Sequence, residues 1–243
     1  AIELLQKAVA SKSSGVHHAW LFTGPAGSGR SLMARAFAAA LQCSDNGCGS
    51  CRQCSLTMAN AHPDINLLAT ERVQISIDEV RTLVSRSSSS SSMGEYRIAI
   101  IEDADRMTER TSNVLLKALE EPEQNTIWML CAPSVADLLP TIRSRTRNVV
   151  LRLPSGEEVA QLLVHREGVD RELALRSARQ AQNHVGMARR LATSSEARSR
   201  RTETLREISA ITNLSKAMIA AEHLLSVAKR DAQSLAEERD GTE

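Results

Sequence analysis

The pattern of apolar and polar positions changes character near residue 153. Before it, short apolar runs alternate with amphipathic stretches: "AWLFTG" (19–24), "DINLLA" (64–69), "YRIAII" (96–101), "TIWMLCA" (126–132) and "RNVVLRL" (147–153). Runs this short and this apolar suit strands of a sheet buried on both faces. Between them, "RSLMARAFAAALQ" (30–42), "SIDEVRTLVSR" (76–86) and "TSNVLLKALEE" (111–121) read as helices. The second of these opens on Ser76 with Glu79 three positions on, the signature of a capping box. "IELLQKAVA" (2–10) is helical too but lacks a start signal, so the chain is expected to begin inside an element. Strands alternating with helices predict an α/β domain built on a mostly parallel sheet covered on both faces.

Beyond Pro154 no convincing strand occurs. "SGEEVAQLLV" (155–164) carries a second capping box from Ser155 to Glu158, "DRELALRSARQAQ" (170–182) is capped by Asp170, and "GMARRLA" (186–192) precedes long charged, alanine-rich segments. These predict a small helical domain over 154–196. The remainder, 197–243, is helical in character but too short to close a bundle, and is expected to be the start of a further helical domain, incomplete here. The six consecutive serines Ser87–Ser92 are poor helix formers that cannot pack a core, which predicts a solvated helix end and turn.

Composition narrows the class of function. A chain of 243 residues with 42% hydrophobic and 24% charged residues is that of a soluble globular protein of two domains. Its five aromatic residues, Trp20, Phe22, Phe37, Tyr96 and Trp128, are too few for a base-stacking surface. A formal charge of +1 argues against a basic nucleic-acid wrapper, and with it against a zinc-bearing DNA-binding regulator. No apolar run of membrane-spanning length and no signal segment appears, so a cytoplasmic location is expected.

Three motifs carry chemistry. "GPAGSGRS" (24–31), set between a strand and a helix, departs by one residue from the phosphate loop G-x-x-x-x-G-K-[ST]. Gly24 opens it, the backbone amides of Gly27, Ser28 and Gly29 are candidates for a nest around phosphate oxygens, and Ser31 is the candidate magnesium ligand. Arg30 replaces the lysine. It keeps the charge but is bulkier and planar, a change that binding tolerates better than hydrolysis does. ATP and Mg2+ are therefore doubtful occupants. The second motif is Glu102–Asp103 at the end of a strand, an acidic pair of the kind that holds magnesium and polarises water, or an ordinary polar strand end. The third is Cys43, Cys48, Cys51 and Cys54, four soft ligands within twelve residues, with Gly47 and Gly49 permitting tight turns. Four sulfurs predict a closed, structural Zn2+ site; free thiols or disulfides are the alternative. Cys131 on an apolar strand reads as a small core residue, and His17, His18 and His62 as structural or exposed.

"HHAWLFTGPAGSGRS" (17–31), the four-cysteine insertion after the loop helix, "IIEDADRMTERTSNVLLKALEEP" (100–122) and "LLPTIRSRT" (138–146) together resemble the AAA+ subunits of the bacterial DNA polymerase III clamp loader. The resemblance covers 17 to about 153, and "HVGMARRLA" (184–192) is similar to that family's lid domain. It implies an AAA+ phosphate-loop core over 1–153 with a zinc module at 43–54, a lid over 154–196 and the start of a collar over 197–243. Within the family, Arg30, the inverted Glu102–Asp103 pair and the replacement of a polar sensor by Cys131, Ala132 and Pro133 favour a delta-prime-like subunit over the active gamma/tau ATPase. A lid sensor arginine would fall at Gly186, Ala188 or Arg189. "SRT" (144–146) is similar to the family's Ser-Arg-Cys motif, with Thr146 for cysteine. The resemblance implies that Arg145 enters a neighbour's ATP site, where such a finger is worth roughly 10³–10⁵ in rate. It further implies a hetero-pentamer with gamma/tau and delta subunits that acts on a sliding clamp and primer-template DNA, as part of a polymerase holoenzyme.

Overall fold

The computed structural model describes residues 1–240 apart from 13, 14, 71, 89 and 90. The chain divides into two compact units, Ala1–Leu153 and Pro154–Glu243.

In the first unit the elements run α1 (Ile2–Ala10), β1 (Ala19–Thr23), α2 (Arg30–Gln42), α3 (Arg52–Met58), β2 (Ile65–Leu68), α4 (Ile77–Ser87), β3 (Arg97–Ile101), α5 (Glu109–Glu120), β4 (Thr126–Ala132), α6 (Pro140–Arg143) and β5 (Arg147–Val150). The five strands form one parallel sheet in the order β2-β3-β4-β1-β5. Successive side chains of a strand point to opposite faces, and the core divides accordingly. Trp20, Phe22, Ile98, Ile100, Met129 and Cys131 pack with α1 and α2 on one face. Leu21, Ala99, Ile101, Trp128 and Leu130 pack with α4 and α5 on the other. The first crossover from β1 runs outward to the edge strand β2, and later strands return toward β1 and pass it. That reversal leaves a crevice at the carboxyl ends of the central strands, where ligands of open α/β sheets bind.

Local signals explain most boundaries. The Ser76 and Glu79 side chains exchange hydrogen bonds with each other's backbone N–H, forming the box that opens α4. Helix α5 begins before the 111 expected from the sequence, because Thr108 accepts from the Thr111 N–H and caps it. β5 stops at Val150, short of the expected 153. Its neighbour β1 ends at Thr23, the register partner of Val150, and Leu151 makes one last bond to the Thr23 carbonyl before the chain turns at Gly24.

The serine run departs from expectation at both ends. Ser87 is buried in α4 and donates to the Leu83 carbonyl, and Ser92 is bound to a buried carboxylate. Ser88 caps the helix, while Ser89 and Ser90 lie outside the described residues. The carboxylate is Asp64, fully buried, which accepts from the N–H groups of Ser92, Met93 and Gly94 and pairs with Arg97 at 3.2 Å. Burial opposes its charge, but the donors from Ser92, Gly94 and Met93 outweigh it and bring the group down to about 2.

The second unit contains α7 (Gly156–Glu167), α8 (Arg171–Gln180), α9 (Val185–Thr193), α10 (Ser195–Ser209) and α11 (Leu214–Asp240). The Ser155–Glu158 box and the Asp170 cap both form. Val159, Leu163, Ala174, Ala178, Ala188 and Leu191 make its core. Asp231 of α11 joins Arg190 of α9 at 2.9 Å and Arg200 of α10 at 3.1 Å, so one carboxylate fastens three helices. Among the three positions considered for a sensor, Ala188 lies in this core, and Arg189 is bound to Glu167 at 2.8 Å.

Candidate functional site

The 24–31 loop bridges β1 and α2 at the carboxyl edge of the sheet. Gly27 and Gly29 both adopt φ +83°, a region glycine enters without steric cost, and Gly29 caps α2 from there. Gly24 is required for a different reason: a β-carbon on it would lie 2.6 Å from the Leu151 carbonyl. Its N–H donates to the Pro133 carbonyl at 3.1 Å, tying the loop to the end of β4. Of the three amides expected to form the nest, that of Ser28 donates to the Pro25 carbonyl at 3.1 Å. The Ser28 hydroxyl is buried without a hydrogen-bond partner among the described residues.

Arg30 does not reach outward. One guanidinium nitrogen donates to the Gly24 carbonyl at 2.5 Å and another stands 3.6 Å from Asp103. Asp103, at φ +48°, also pairs with Arg106 at 3.2 Å, and Arg106 donates to the carbonyls of Thr70 and Arg72. The Asp103 carboxylate is thus held between two guanidinium groups. Glu102 extends β3 by a backbone bond to the Leu68 carbonyl. Its charge reaches Cys131, whose thiol is pushed up to about 12 by burial first and then by Glu102. Ser31 interacts with that same thiol. The loop, Glu102 and Asp103 thus meet at the carboxyl edge of the sheet, with the Cys131 thiol buried in the core beneath them. Arg106 was missed in the sequence, although its place three residues after Asp103 at a helical turn is a local signal.

The cysteine cluster lies at the other end of α2. Cys43 follows the helix directly, Cys51 caps α3 and Cys54 sits on it. All four sulfurs lie within 4.8 Å of one another, with Cys43 to Cys48 at 3.8 Å and Cys43 to Cys51 at 3.6 Å. Zn–S bonds of about 2.3 Å in a tetrahedron require S···S separations of about 3.8 Å. The donor set fits a metal ion. N–H groups of Asp45, Cys51 and Cys54 point at Cys43, Cys48 and Cys51 sulfurs respectively, at 3.3, 3.3 and 3.5 Å. Burial opposes ionisation of Cys43, yet N–H donors from Cys48, Gly47 and Asp45 bring it down to about 6. Cys54, with burial as its largest influence, is pushed up to about 12.

Arg145 follows α6, at the amino-terminal side of β5. It is one-third exposed, pairs with Glu120 at 2.6 Å, and donates to the Thr141 carbonyl at 2.7 Å and the Ser144 hydroxyl at 3.1 Å. Glu120, the last residue of α5, was not singled out in the sequence; the pairing joins residues distant along the chain and leaves no local signature. His62 is buried and bonded to Gln53, and its imidazole is shifted down by burial. His17 and His18 stack on each other. Among the described residues, no helix is long and apolar enough to cross a membrane.

A family model described as "DNA polymerase III, delta subunit" matches residues 1–155. The chain is 37% identical over 143 residues to DNA polymerase III subunit delta' of Pseudomonas aeruginosa, covering 56% of this chain and 44% of that one. It is 34% identical over 169 residues to the delta' subunit of Escherichia coli K12, covering 67% and 50%. The gamma/tau subunit of Mycobacterium tuberculosis is 32% identical over 169 residues, covering 66% and 29%. The chain spans about half the length of the curated delta' relatives it matches. Among solved structures, a gamma subunit-related protein of Thermotoga maritima superposes with a TM-score of 0.54 at 22% identity, over 92% of this chain and 71% of that one. The RuvB Holliday junction branch migration motor of the same organism gives 0.52 at 16%, over 91% and 67%. The fold is that of AAA+ phosphate-loop domains.

Proposed function

The chain belongs to the DNA polymerase III delta subunit family, and from that premise we propose that it is a delta-prime-like clamp-loader subunit with little or no ATPase activity of its own. In this reading it joins gamma/tau and delta subunits in a hetero-pentamer that loads the sliding clamp at primer-template DNA, in the cytoplasm. Arg145 serves the ATP site of a neighbouring subunit. The observation that carries the reading is the self-contained loop: Arg30 bonds the loop's own Gly24 carbonyl and stands by Asp103, which also pairs with Arg106. A phosphate entering the loop has to displace contacts that already neutralise its positive charge, and Asp103 is poorly placed to draw a proton from water while two cations hold it.

The four cysteines, gathered within 4.8 Å of one another, would hold Zn2+ in a closed, structural site fastening α2 to α3. With every ligand position filled by sulfur, such a metal would have no open position for substrate. ATP and Mg2+, if they enter the loop, meet Gly27, Gly29, Ser31 and Glu102 there without productive chemistry.

The experiment is reconstitution of the assembly with Arg145→Ala. The partner's DNA-stimulated ATPase should fall at least tenfold while the subunits still co-elute, since a finger of this kind acts on transition-state charge and not on docking. Unchanged turnover removes the role.

A further inference from the structure

We infer that Glu120 is the resting counter-ion of Arg145 and competes with a neighbouring subunit's triphosphate for the same guanidinium nitrogen. The inference rests on the reading of Arg145 given above.

The contacts of Arg145 separate by atom. Nη1 is held by neutral groups of its own loop, the Thr141 carbonyl at 2.7 Å and the Ser144 hydroxyl at 3.1 Å. Nη2 is held by the Glu120 carboxylate at 2.6 Å. The loop contacts orient the guanidinium and leave its charge intact, whereas Glu120 neutralises it. An incoming phosphate can therefore keep the first set and exchange for the second, one anion for another at a single nitrogen. Bidentate guanidinium geometry makes this exchange possible without moving the loop.

Glu120 is an unusual place for a carboxylate. It is the last residue of α5, and the carbonyl end of a helix disfavours negative charge. Lys117 one turn earlier eases that field but is not bonded to Glu120 among the described contacts. Arg145 compensates the charge across the fold. Both side chains remain partly exposed, at 34% for Arg145 and 47% for Glu120, so the pair can open without unfolding the domain. Exposed pairs are weak, which suits a latch that has to yield to a triphosphate.

The test is steady-state ATP hydrolysis by the reconstituted assembly carrying wild-type protein, Glu120→Gln, Arg145→Ala or both. With Glu120→Gln the kcat/KM for ATP should rise about 2–5-fold, the range expected for losing one exposed competing ion pair. In the Arg145→Ala background the same substitution should have no effect. An unchanged kcat/KM, a lowered one, or a rise that persists without Arg145 overturns the latch; the last outcome would mean that Glu120 acts through the general field around Arg143 and Arg147. Full activity of Arg145→Ala would instead overturn the proposed function beneath it. Removing an acidic group from the end of α5 relieves its dipole, so Glu120→Gln should fold normally, and thermal unfolding checks this.

Discussion

The two ends of α2 combine shape and chemistry in opposite ways. Its amino end carries a phosphate loop with the right backbone and altered chemistry: Gly24, Gly27 and Gly29 adopt the turns, while Arg30 faces back onto the loop and Asp103. Its carboxyl end carries four sulfurs within 4.8 Å of one another, a complete ligand set. A loop's shape and its chemistry are thus separable. The loop shape is fixed by glycine dihedrals and by contacts to Pro133 and Leu151, and these persist whatever side chain stands at position 30. The cysteine turns have little core of their own, with Cys43, Cys54 and Ala39 buried together and Cys51 packed against them, and would depend on a metal to join them.

The comparison breaks most easily at the metal end. The proposed site predicts one zinc per chain, which Cys54→Ser should reduce to near zero while lowering the first unfolding transition by about 10 °C, equivalent to several kcal/mol. Metal analysis with thermal unfolding measures both. A metal-free variant as stable as the parent would place the two ends on the same footing.

Part of the carboxyl end is held without metal, and Asp64 shows how much. Gln42, the last residue of α2, bonds Glu95 and Tyr96, Gln53 of α3 donates to the Met93 carbonyl, and Asp64 fixes residues 92–94 beside them. Asp64→Asn should cost about 2–4 kcal/mol at pH 7 by placing an amide donor against N–H groups and unpairing Arg97 from its carboxylate. The native carboxyl is depressed to about 2 from 3.8, so its stabilisation, on the order of 2 kcal/mol, is present above pH 4 and lost as pH falls through 2. Urea unfolding of both proteins between pH 7 and pH 2 should show the gap narrowing only below pH 4. A constant gap would mean the segment is held by packing alone.

The smallest stability change is expected at the loop. Arg30→Lys should alter stability by less than about 1 kcal/mol, because a partly exposed pair is lost and the glycine turns remain. The same variant should bind a fluorescent ATP analogue about tenfold more tightly than the parent, since an ammonium suits the site that a planar fork does not. Equal affinity would mean that Arg30 does not close the loop.

Much of this was legible along the chain. Ser76 with Glu79, Ser155 with Glu158 and Asp170 mark helix starts because capping bonds span three residues and write themselves into local sequence. The glycine loop and the cysteine spacing are legible for the same reason. What was hidden acts over distance: Asp64 with 92–94, Gln42 with Tyr96, Glu120 with Arg145 and Arg30 with Asp103 join segments 25 or more positions apart, and nothing near either partner announces the other. Helix α3 was hidden differently, because Cys54 within it and Cys51 before it carry the spacing of metal-ligating turns, although Cys51 both caps the helix and joins the cluster. The fold was thus more readable than the electrostatics of the site, which depend on where side chains meet.

The central claim is that this chain keeps the architecture of a nucleotide site without its catalysis, and ATP turnover by the purified chain tests it directly. Hydrolysis should be indistinguishable from a buffer blank, and the same in Asp103→Ala. Turnover that collapses on Asp103→Ala or Arg30→Ala would show a working ATPase and contradict the account.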